Sequence, residues 1–151
     1  MKSAIVILLA VACNIHAADD AESKKLIGAL EGHYKLTSME LSGEPVPPGF
    51  LNVMEKVTFK GSKFTILFKS ETKSEEKIAT ISVDAAQKPA YFNMTPDEGP
   101  KKDKASLGIV LIEGDVVKIC LNDAEGAKRP TEFKSTKEGR TVLLVLKRVK
   151  Q

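Results

Sequence analysis

From Gly32 to its C-terminus the chain consists of short runs in which apolar and polar residues alternate, separated by turn-forming clusters. A period of two puts every second side chain on one face of an extended strand, so such a chain buries one face and wets the other. Tyr34 and Leu36 open the series. Met39 and Leu41 continue it after a one-residue slip that a β-bulge can absorb. Ser42-Gly43-Glu44-Pro45 breaks the run, Pro47-Pro48 excludes a central strand, and Pro48 can open one helical turn through Phe50 to Met54. Val57 and Phe59 lead into Lys60-Gly61-Ser62-Lys63, and Phe64, Ile66 and Phe68 lead out, which reads as a hairpin.

Lys73 to Lys77 reads as an exposed turn before a strand at Ile78 to Val83, and Ala90 to Thr95 reads as a further strand with Phe92 and Met94 on one face. Pro96 to Lys104 is a solvated loop with no large apolar side chain. Leu107 to Ile112 and Val116 to Leu121 flank a Glu113-Gly114-Asp115 turn. Asn122 to Lys128 is a loop, Thr131 to Ser135 a short strand, and Lys137 to Arg140 a tight turn before the closing strand Thr141 to Val149. About eight strands at a spacing of ~8–12 residues predict an all-β fold, a small antiparallel up-and-down β-barrel. Before it, Leu26, Ile27 and Leu30 at helical spacing, with acids early and Lys24-Lys25 later, predict a short N-terminal helix over Asp19 to Glu31. No long helix interleaves the strands, which argues against a parallel βαβ sheet. A chain of 151 residues is long enough for one such core.

The N-terminus reads as an address. Lys2 precedes the apolar stretch Ala4 to Ala12, which is far short of the ~20 residues of a spanning helix but suits a signal-peptide core. Cleavage after Ala17 leaves residues 1–17 as signal and 18–151 as the barrel domain. Cleavage before Cys13, within Leu9-Ala10-Val11-Ala12-Cys13, resembles a bacterial lipobox and makes Cys13 a lipidation site, although Ala10 stands where Leu is usual. Either way the protein is expected to be exported, to the periplasm or outside the cell, or held at a membrane by a lipid on Cys13. Cys120 then remains as the sole thiol of the domain, in a strand-like run that suits a buried structural cysteine.

Little in the sequence proposes chemistry. His33 is the single imidazole beyond the signal, so neither a multi-His zinc site nor a His-based triad is expected, and no metal or cofactor is assigned. The acidic pairs Glu75-Glu76 and Asp97-Glu98 suit solvated surface. No P-loop or dinucleotide fingerprint occurs. A formal charge of +3 is too balanced for a nucleic-acid footprint, and a non-enzymatic monomer is expected. Asn93-Met94-Thr95 matches a glycosylation sequon.

Several segments resemble an uncharacterised lipocalin-like domain family common in planctomycete bacteria. They are Leu30 to Tyr34, Gly43 to Pro47, Val57 to Phe64, Ser106 to Ile109, Gly114 to Cys120, Arg129-Pro130-Thr131-Glu132-Phe133 and Val142 to Arg148. The likeness spans nearly the whole mature chain, and Arg129 to Phe133 is its most specific part. It implies a small secreted or envelope-anchored barrel and assigns no catalytic residue. The wider lipocalin signature is Gly-x-Trp on the first strand, packed under a basic residue from the chain's end. Here Gly32-His33-Tyr34 puts Tyr34 in the Trp position, with Arg148 as its candidate partner in a barrel-closing pair. The same two residues also suit an ordinary core tyrosine and a solvated arginine. Two functional readings follow: a binding module for a small apolar ligand inside the barrel, motivated by the inward alternation of Val57, Phe59, Phe64, Ile66 and Phe68, or an inhibitor-like envelope protein acting on a protein partner through loops such as Pro96 to Lys104.

Overall fold

A computed structural model describes residues 15–122 and 128–150. The apolar stretch Ala4 to Ala12 and Cys13 lie outside the described residues, and the Ala17 boundary falls in the first turn of the N-terminal helix. The elements in chain order are α1 (Ile15–Leu30), β1 (Gly32–Leu41), β2 (Glu44–Pro45), α2 (Pro48–Val53), β3 (Met54–Lys60), β4 (Lys63–Lys69), β5 (Ser74–Asp84), β6 (Ala90–Pro96), β7 (Ser106–Glu113), β8 (Val116–Asn122) and β9 (Thr141–Arg148). Every strand pairs antiparallel with its sequence neighbour from β3 to β9. β1 pairs with both β3 and β9, which closes an eight-stranded up-and-down barrel, and the two-residue β2 hangs on the tip of β1. Closure removes the free edges that an open sheet of this length would expose.

The period-two pattern sets which side chains enter the barrel. Leu36, Val57, Phe59, Phe64, Ile81, Phe92, Val117, Ile119, Leu121 and Leu146 point inward and are buried. The slip between Leu36 and Met39 is a register shift against β9 between Leu36 and Ser38, which returns Met39 to the inner face. The hairpin of β3 and β4 turns on Gly61-Ser62, with Gly61 at φ +55°. Tyr34, Phe59 and Phe64 pack ring upon ring, Tyr34 edge-on to Phe59 with centroids 5.5 Å apart and Phe59 tilted against Phe64 at 5.0 Å. They fill the half of the barrel nearest α1, and each fully buried ring of this kind stabilises the fold by about 1.5–3 kcal/mol. Leu30, completely buried, caps that end from the last turn of α1.

Two expectations are corrected. The first strand after β4 begins at Ser74 rather than Ile78, because the turn is Ser70 to Lys73, closed by Ser70 N donating to Lys73 O at 2.8 Å, and the ladder resumes at Lys69 opposite Ser74. The charges are tolerated in the strand because Glu75, at the open rim, pairs with both Lys73 and Lys77. The second correction concerns Thr131 to Ser135, which is no strand. β8 already pairs with β7 on one side and β9 on the other, so no edge is left for this segment to join. Residues 128–140 instead run as a strap over the outside of the barrel. Ile109 and Cys120 are partners across β7 and β8 and alternate with inward neighbours, so they face outward, yet both are buried. The Cys120 thiol donates to Lys134 O at 3.6 Å, and Ser135, also buried, donates to Thr141 O and accepts from Gly43 N.

Candidate functional site

The barrel is filled unevenly. Its α1 end is solid with aromatic and branched side chains, whereas the opposite end holds a partly open cavity of about 170 Å³. Its base is Phe64 with Val57 and Leu146, and its wall includes Leu36, Ile66 and Leu144. Three of the chain's four methionines, Met39, Met54 and Met94, project into it from β1, β3 and β6. Ser106 and Asn122 are the polar residues of the lining. Asn122 is buried, its carbonyl oxygen accepting from Leu107 N at 3.0 Å and its amide donating to Lys128 O at 3.3 Å. The cavity is therefore apolar, with a narrow polar margin.

The size has a direct physical meaning. An apolar cavity of ~150 Å³ stays dry and takes up benzene or xenon, so this one suits a compact apolar group and not a bulky polycyclic ligand. Methionine is unbranched and reorients at small cost, so a wall with three of them adapts its shape to an occupant. Met39 and Met94 sit at inward positions of the period-two pattern, a signal the sequence carried. Met54, expected at the end of the helical turn, instead opens β3 and turns inward through a register shift against β4 between Met54 and Lys56. Reading the cavity itself required the relative depths of three strands.

Tyr34 and Arg148 meet at the other end. The Arg148 guanidinium carbon stands 4.8 Å from the Tyr34 ring centre, inside the ~6 Å range of a cation–π contact. Its terminal nitrogens donate to Glu31 O at 2.5 Å and Ala29 O at 2.7 Å, and the Tyr34 hydroxyl donates to Leu30 O at 2.7 Å. Three consecutive carbonyls at the end of α1 are thus satisfied by side chains from β1 and β9. The helix carries no basic residue in its own last turn, so Arg148 supplies the cation that the negative end of the helix dipole favours. Burial pushes the Tyr34 hydroxyl above the ordinary tyrosine range, with Arg148 pulling the other way. Gly32 lies between these groups at φ +142°, and a Cβ there would collide with Arg148 Nη1. The pair is a structural clasp, separated from the cavity by the aromatic stack.

A second arginine–tyrosine pair was not apparent from the sequence. Arg129 in the strap stands 4.0 Å above the ring of Tyr91 on the outside of β6, and its Nη1 donates to Gly108 O at 2.6 Å. It pins the start of the strap, and burial beneath the strap raises the Cys120 thiol above its ordinary value. His33 shares a 3.1 Å hydrogen bond through Nδ1 with Thr58 Oγ1 on the adjacent strand. Glu75 is held below the usual carboxylate range by hydrogen bonds from Lys77 and Lys73, and Asp97 by those from Lys63 and Thr80. Among the described residues no group of three or more His, Cys, Asp or Glu is placed to hold a metal ion. Asn93 lies mid-strand, its amide donating to Ser82 Oγ at 3.2 Å. Comparison with protein-family models, with curated proteins and with solved structures returns no match for this chain.

Proposed function

We propose that this protein is an exported, non-enzymatic binding module whose barrel holds a small apolar ligand, or the apolar end of a larger one. The observation that carries the reading is the methionine-lined cavity of about 170 Å³ at the end of the barrel away from α1. A fully side-chain-filled barrel would have no such space, and an empty apolar cavity is costly to maintain at roughly 24 cal/mol per Å³. Export rests on the apolar stretch Ala4 to Ala12 and its flanks, and the lipocalin-like resemblance supports the same picture. Attachment through Cys13 is the membrane-bound form of this proposal. The loop from Pro96 to Lys104 is the weaker candidate for contact with a partner, since its acids and lysines balance.

Native mass spectrometry of protein recovered from its own cells tests this reading. A small apolar adduct, lost in a Leu144→Phe variant that fills the cavity, is the expected result. A bare mass for both proteins contradicts it.

A further inference from the structure

The barrel wall is incomplete at one seam. β1 and β3 pair through Gly32 with Phe59, His33 with Thr58, and Tyr34 with Val57, and there the pairing stops. Beyond that point β1 continues along β9 to Leu41, while β3 reaches back along β4 to Met54. The strands diverge, and a surface depression lined by His33, Tyr34, Glu55, Lys56 and Val149 marks the divergence from outside. Both banks of the seam line the cavity: Leu36 and Met39 on β1, Met54 and Val57 on β3.

The helix α2 packs against both β1 and β3. It is six residues long, has no fully buried side chain, and its N-cap Pro47 makes no side-chain capping bond. Leu51 is its one contact with the core, and Phe50 is 45% exposed. A helix this short has little intrinsic stability and stays in place mainly through such packing. It is also tied at both ends to cavity methionines. Val46 N, just before it, donates to Met39 O at 3.0 Å, and Met54, just after it, donates its N–H to Leu51 O.

We infer that α2 is a lid, and that apolar ligands reach the cavity through the side of the barrel between β1 and β3 when Leu51 lifts away. The inference rests on the cavity being a binding site and adds the route into it. Displacing α2 moves Met54 directly, so opening the seam and reshaping the cavity wall are one motion. A lid sets the rates of binding and release together and leaves affinity unchanged, because it is closed in both the empty and the filled protein.

The test uses fluorobenzene with the full domain, following exchange between free and bound ligand by 19F NMR. Leu51→Ala weakens the lid's anchor and is expected to raise association and dissociation rates together by about tenfold, the factor that corresponds to 1.4 kcal/mol. Gly49→Ala acts in the opposite sense. A Cβ at Gly49 meets nothing within 4 Å, and alanine stiffens the helix, so both rates are expected to fall by about fourfold. Kd should stay within twofold in each variant. Access through the open axial end predicts unchanged rates in both, and that result overturns the lid while leaving the cavity reading intact. Absence of any bound signal in the wild type overturns both.

Discussion

Arg148 covers the Tyr34 ring at 4.8 Å while its guanidinium closes the carbonyl end of α1 through Glu31 and Ala29. The first barrel strand, the last barrel strand and the preceding helix are thereby joined at one point, and the aromatic stack above it forms the base of the cavity. A lysine at 148 keeps the charge but replaces the planar guanidinium, which reaches two carbonyls while covering the ring, with a compact ammonium on a flexible stem. Arg148→Lys is expected to cost about 1–2 kcal/mol, and Arg148→Ala about 2–3, as charged hydrogen bonds and a cation–π contact are lost. Urea denaturation measures both. A loss below ~0.5 kcal/mol for alanine would show the clasp to be energetically idle.

Gly32 tests the same clasp from its other side. Its φ is positive, and a Cβ there would run into Arg148 Nη1, so a side chain fits only if the guanidinium gives up its place. Gly32→Ala is expected to destabilise by about 1–3 kcal/mol through backbone strain, with the collision adding to it. In a Gly32→Ala, Arg148→Ala double mutant the collision is gone, so the combined loss should be smaller than the sum of the single losses. Strict additivity would contradict the contact.

The Tyr34 hydroxyl predicts a particular alkaline behaviour. Burial raises its folded value above that of the unfolded chain, whose tyrosines ionise near ~10. Its contribution is therefore complete below ~10 and is lost as pH rises through the folded value, because the unfolded chain gives up the proton first. Tyr34→Phe should cost about 1 kcal/mol at neutral pH, by loss of the bond to Leu30 O, and should flatten the decline above pH ~10. Denaturation midpoints across pH 7 to 11 decide it. An unchanged alkaline limb in the variant would show that another group governs it.

Cys120 reports on the strap. It is buried on the outer face of the barrel, with its thiol raised above the ordinary value by that burial. Thiol-labelling reagents should react with the folded protein only as fast as the strap opens. Arg129→Ala removes the contacts to Tyr91 and Gly108 O and is expected to accelerate labelling about tenfold with a much smaller change in global stability. Equal labelling rates in wild type and variant would place the fastening elsewhere along residues 128–140.

The strands were legible wherever alternation met a turn: Phe59 and Phe64 across Gly61-Ser62, Val110 and Ile119 across Gly114-Asp115, and the slip between Leu36 and Met39. Pattern failed where pairing partners decided the outcome. Thr131 to Ser135 has strand-like residues but no free edge to join, and Glu75 to Lys77 looks like a turn yet continues a ladder whose register β4 imposes. The Tyr34–Arg148 contact could be anticipated as one of two readings. The cavity could not, because its volume is a small difference between barrel size and summed side-chain volume, fixed by how Met39, Met54 and Met94 stagger between strands.

The claim that the barrel holds a ligand-accessible apolar cavity is tested most directly by diffraction from crystals of the protein under xenon pressure. One xenon site is expected, enclosed by Met39, Met54 and Met94 above Phe64 and abolished in Leu144→Phe crystals. Crystals that take up no xenon at this position, with the methionine side chains collapsed into the space, would contradict it.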